Sequence, residues 1–145
     1  SSSMRLAMSA IFDELSFVEV PSKTRGQPSE RGVAINGRWL GQWMALSNTV
    51  WILARSDPKH SITKQLLGRA ASEFHSGHVP LYVCSLCGDF ACGAVTVRVT
   101  ELDDCFRWSE FSWETPNGTG TPITWLYTEE RDFFFSKPHY QAFIY

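Results

Sequence analysis

The run Ala94–Glu101 constrains the fold more tightly than any other stretch. It reads AVTVRVTE, with Val95, Val97 and Val99 on one side of the chain and Thr96, Arg98 and Thr100 on the other. A side-chain period of two belongs to a strand with one face in the core and one toward water. Antiparallel sheets tolerate that division, whereas parallel sheets are covered on both faces. Cys105–Trp113 alternates in the same way, setting Phe106, Trp108 and Glu110 against Arg107, Phe111 and Trp113. The C-terminal half is therefore expected to be mostly antiparallel sheet.

Further strands are expected over Val79–Cys84, Ile123–Tyr127 and Asp132–Phe135, with 115–122 as a loop. Nearer the start, the reading gives a strand over 5–13, a weaker strand signal over 16–20, and a loop over 21–31 that is expected to be mobile. Asn36-Gly37 stands between Gly32–Ile35 and Arg38–Leu40. Both central residues of a type I′ turn need positive φ, so this pair predicts a hairpin. A short helix should follow, with Trp39, Trp43 and Leu46 on one face. Val50–Ala54 has the length of a strand. Ser61 is placed to cap a helix over 62–74, with Ile62, Leu66, Ala70 and Phe74 aligned. Gly68 weakens that helix by about 1 kcal/mol relative to Ala, and Gly77 is the expected stop. Ser136 precedes Lys137-Pro138 as an N-cap, which predicts a terminal helix over 137–145.

These elements add up to a single α+β domain over 4–145: a mainly antiparallel sheet with two or three packing helices, one of them C-terminal. Ser1–Ser3 read as an expression scar ahead of Met4. At 145 residues and 14% aromatic, the chain has the length of one domain and too many rings for a disordered one.

Charge narrows the partners. The net charge is −2 and the pI is near 6.1, which speaks against a nucleic-acid binder because phosphate contacts need clustered Lys and Arg. No apolar run approaches the roughly 20 residues of a membrane span. With no basic and apolar leader, a cytoplasmic protein is expected. The distribution is uneven, however: +4 over residues 1–72 and −6 over residues 73–145. Residues 99–132 hold 8 acids and 2 bases. Glu101, Asp103, Asp104, Glu129 and Glu130 are expected to share one exposed surface that would suit a basic protein partner, as an immunity or inhibitor protein suits a basic toxin. An ordinary solvated face is the alternative.

Three of the four cysteines, Cys84, Cys87 and Cys92, fall within nine residues. Cys-x2-Cys-Gly is half of a zinc knuckle, in which the glycine lets two thiolates turn toward one ion. Cys92 would be a third ligand, and Cys105, His78, His75 or Asp89 a fourth. Buried thiols without metal and a redox dithiol fit the same residues. Cofactors are accordingly none, or zinc.

Gly77–Cys84, Cys87-Gly88-Asp89, Cys92-Gly93-Ala94, Trp108-Ser109-Glu110-Phe111 and Phe135–Tyr140 form a pattern over roughly residues 60–145. In this the chain resembles a family of small bacterial proteins, chiefly from actinobacteria and some proteobacteria, with no established activity. Some members carry an oxidoreductase label. No Gly-x-Gly-x-x-Gly after a strand, Walker loop or flavin fingerprint accompanies it here. The resemblance implies one compact domain and a special role for the Cys-Gly turn.

Other chemistry is less specific. His60, His75, His78 and His139 include two that precede the cysteine strand, so a Cys–His pair is conceivable. A carboxylate pair drawn from Asp103, Asp104, Glu110, Glu129 and Glu130 has nothing to single out two members. Most tryptophans read as core, with Trp113 and Trp125 better placed for a surface. A non-enzymatic protein-binding module is the leading reading, and a zinc or thiol protein the alternative.

Overall fold

A computed structural model describes residues 12–21, 26, 30–46, 49–54, 61–84, 93–118, 120–126 and 130–144. The chain forms mostly antiparallel sheet, with three helices among the described residues and one of them C-terminal. The central strand is β7 (Cys105–Glu114), which pairs along one edge with β6 (Ala94–Glu101). Its other edge is shared. There β9 (Phe133–Ser136) lies opposite Cys105–Trp108, and β8 (Thr121–Pro122) lies opposite Ser112–Trp113. Beyond β6 come β5 (Val79–Cys84) and β4 (Thr49–Trp51). A second sheet holds β1 (Leu15–Val20), β2 (Glu30–Ile35) and β3 (Arg38–Trp39). The helices are α1 (Leu40–Trp43), α2 (Ser61–Leu66) and α3 (Lys137–Ile144).

Several local expectations hold for their stated reasons. Asn36 and Gly37 both have positive φ, 56° and 78°, and turn β2 into β3, after which α1 begins at once, although Trp39 stays in β3 and Leu46 lies beyond the helix instead of sharing its face with Trp43. Val95 and Val97 are buried, Val99 packs half-buried against the core and Arg98 is exposed, but Thr96, which the alternation sets on the wet face, is wholly buried. The terminal helix forms where expected.

Others are corrected. The helix expected over 62–74 ends at Leu66. Gly68 takes φ +72°, its N–H donates to Gln65 O, and the Arg69 N–H donates to Lys64 O. This pair of bonds closes a helix C-terminus around a left-handed glycine, so Gly68 is the stop and Gly77 serves a later turn, donating to Phe74 O. The strand expected over 5–13 falls mostly outside the described residues, and pairing begins only at Leu15. The strand over Val50–Ala54 gives way after Trp51 to a 3-10 turn. No strand spans Ile123–Tyr127 among the described residues. Past Pro122, among the described residues, only the Ile123 N–H still donates to β7, to Phe111 O at 3.4 Å, and the chain then leaves β7 for the end of α1, where Trp125 forms a single bridge with Met44.

One irregularity repositions the core. Thr96 is opposite Ser112 while Arg98 is opposite Ser109, so β7 holds an extra residue. Glu110 supplies it with φ +55°. Such a bulge resets which side of the strand faces in. Phe111 therefore joins Trp108 on the core side, their ring centroids 6.4 Å apart, instead of opposing it as simple alternation requires. Glu110 is left outside, paired with Arg98.

Phe106, Trp108, Phe111, Phe133, Phe135 and Tyr140 form the centre of the core, each nearly or wholly buried. Tyr140 ties three elements together. Its hydroxyl donates to Leu66 O at 2.6 Å and accepts from Trp108 Nε1 at 3.1 Å. Burial pushes its pKa well above the ordinary tyrosine range, against a smaller lowering from the Trp108 bond. Opposite it, Leu15 N–H donates to His139 Nε2 at 2.7 Å and fastens α3 to β1.

Candidate functional site

Four consecutive residues, Glu101 to Asp104, are exposed where β6 turns into β7. The turn is held from both sides. Leu102 N–H donates to Cys105 O at 2.8 Å, and Asp104 O accepts from Lys137 N–H, the first residue of α3, at 3.1 Å. Lys137 also reaches Glu101 through its ammonium, at 3.1 Å. Leu102 keeps 39% of its surface exposed. The result is an apolar side chain flanked by three carboxylates on a braced backbone. Just behind it, burial and the neighbouring Asp104 charge raise the pKa of the Cys105 thiol.

Of the five acids expected to act together, Glu101, Asp103 and Asp104 meet at this turn. Glu130 is exposed but precedes Phe133, at the end of the β7–β9 ladder away from the turn. Glu129 lies outside the described residues.

Other acids are taken up by bases of the fold. Asp13, from the N-terminal part of the chain, takes Arg131 on both carboxylate oxygens, at 2.8 and 2.9 Å, and also accepts from Asn36 Nδ2 and Phe134 N–H. Asp132 accepts from two nitrogens of Arg107. Glu110, one of the carboxylates weighed for acid–base work, is taken up by Arg98.

Glu114 is the most enclosed of these acids, 4% exposed at the far end of the β6–β7 hairpin. Ser76 Oγ donates to its Oε1, and His78 Nδ1 stands 3.2 Å from its Oε2. His78 Nε2 is buried without a hydrogen-bond partner among the described residues. The contacts run serine–glutamate–histidine, with the carboxylate in the middle. In a nucleophilic triad the imidazole must lie between hydroxyl and carboxylate, so this cluster does not activate Ser76.

The cysteine cluster is only partly in view. Cys87 and Cys92 lie outside the described residues, and only the backbone of Cys84 is described. Among the described residues no group of three His, Cys, Asp or Glu is placed to hold a metal. One proposed fourth ligand is removed. Cys84 lies beside the Val83–Ala94–Glu114 end of the sheet, whereas Cys105 sits at the opposite end of β7. Nine residue steps separate Cys105 from Glu114, roughly 30 Å of strand. Cys105 is a free, buried thiol.

Sequence reading found the acidic residues of the turn but not their braced geometry or the role of Leu102. It also missed the Glu114 cluster. Ser76 and His78 are visible together, but no local pattern links them to a glutamate 36 residues on. Comparison with family models, curated proteins and solved structures returned no match to this chain. Among the described residues no helix is long and apolar enough to cross a membrane.

Proposed function

We propose that the chain is a protein-binding module, of the immunity or inhibitor kind, that engages a basic partner through the turn Glu101–Asp104. The observation that carries this reading is Leu102, exposed among three carboxylates on a backbone fixed by Cys105 O and by the first residue of α3. A turn already held in one conformation loses little entropy on binding. The carboxylates would steer a basic surface into place and penalise acidic ones. Leu102 would supply the apolar contact that excludes water.

The test is capture from an extract of the source cells on immobilised protein, run in parallel with the variants D103K/D104K and L102S. The expected partner is a basic protein, held at low salt, weakened at high salt, and lost from the double variant. A partner held equally by wild type and D103K/D104K, or one that is acidic, overturns the proposal.

A further inference from the structure

The exposed aromatic residue Phe17 points to a second site. Phe17 and Phe143 stack with centroids 4.4 Å apart, joining β1 to the end of α3. Yet Phe17 remains 43% exposed. Beside the pair the core opens into a recess of about 400 Å³, with Trp51 and Leu53 among its walls and Ala142 on α3 at its side. Trp51 itself is 2% exposed. The size lies within the range of about 300–1,000 Å³ common for small-molecule sites.

Among the described residues the lining holds one charged group, Arg31. Its guanidinium lies 4.9 Å from the centre of the Phe17 ring. Among the described residues it makes no ion pair, although the β1–β2 register sets Glu19 directly across from it. A guanidinium at the rim of an aromatic recess offers a planar fork to a planar oxyanion. One cation answers one negative charge, which favours a monocarboxylate over a phosphate. The remaining walls are apolar, and the Phe17 and Phe143 rings suit an aromatic body stacked or set edge-on.

We propose that this recess binds a small aromatic monocarboxylate of one or two rings, with its carboxylate on Arg31 and its ring beside Phe17, Phe143 and Trp51. The site is separate from the acidic turn and does not depend on the protein-binding reading.

The test is calorimetric titration with naphthalene-1-carboxylate and with its neutral counterpart, 1-naphthalenemethanol. The carboxylate should bind saturably at one site and at least about fivefold more tightly than the alcohol, a modest return for one charge-assisted contact. R31M should remove that preference while leaving the alcohol's affinity within about twofold. A142W, which fills the recess from an exposed position, should weaken both ligands about tenfold or more. The wild-type protein gives a reading that needs no variant: the Trp51 indole resonance should shift during the titration, and that of Trp108 should not. Absence of saturable binding, equal affinity for the two ligands, or binding that leaves the Trp51 resonance unmoved overturns the proposal.

Discussion

The two ends of the β6–β7 hairpin treat their acids in opposite ways. At the open end Glu114 is buried against Ser76 and His78, and the segment carrying both folds over it. At the turn Asp103 and Asp104 are exposed, and among the described residues the cation in contact is Lys137, on Glu101. The same residue class thus serves the fold at one end and faces outward at the other. What decides between them is the covering segment: where one packs down, a carboxylate must be satisfied internally, because a buried unpaired charge is costly. The number of acids in residues 73–145 therefore overstates the acidic surface open to a partner. Glu110, Glu114 and Asp132 are spent on Arg98, His78 and Arg107.

The largest effect is expected at the buried end. Glu114→Ala leaves the buried His78 imidazole without its partner and opens a cavity, and should cost about 2–4 kcal/mol, read from urea denaturation. Glu114→Gln keeps an acceptor and should cost clearly less. If E114A is as stable as wild type, the buried cluster is not what holds that end.

Tyr140→Phe comes next. It leaves the Trp108 indole N–H and Leu66 carbonyl without their partner, at about 1–3 kcal/mol. It should also change the alkaline limb. A tyrosine whose pKa is raised by folding stabilises the native state fully below its unfolded value of about 10, and that contribution falls as pH rises above it. Cys105 has the same sign, starting from the free-thiol value of 9.0. Wild type should therefore lose stability on going from neutral to strongly alkaline solution, and Y140F should lose less. Parallel pH–stability curves for the two proteins would contradict the assignment.

Asp132→Asn breaks a half-exposed pair with Arg107. The expected cost is about 0–1 kcal/mol, and it should shrink in high salt. The smallest effect on stability belongs to D103K/D104K at the turn. Its melting temperature should match wild type, which makes it a clean probe of binding.

The fold was legible where local chemistry and tertiary packing agree. Val95, Val97 and Val99 carried β6, Asn36-Gly37 carried the first hairpin, and Ser136-Lys137-Pro138 carried the start of α3. It was misread where one residue overrode a pattern. Gly68 cut short a helix whose apolar spacing ran on to Phe74. Glu110 inserted a bulge that moved Phe111 to the core side. Neither left-handed conformation is readable from periodicity. The apolar run Ile123–Tyr127 read as a strand, but after Ile123 the chain leaves β7 and Thr124–Leu126 bond to Trp43–Ala45 instead. At the candidate site, the acids of the turn were visible as sequence, but the brace from Lys137 depends on α3 returning to the hairpin from 33 residues away. The zinc reading still rests on the spacing of Cys84, Cys87 and Cys92. Stoichiometric metal in protein purified without chelator would support it, and metal-free protein would remove it.

The central claim concerns which end of the hairpin meets the partner. Amide hydrogen exchange on the free protein and on its complex with the captured partner compares the two ends directly. Added protection is expected at Leu102–Cys105 and at the start of α3, with Ser76–His78 and Glu114 unchanged. Protection confined to other segments, with Leu102–Cys105 exchanging as in the free protein, would contradict it.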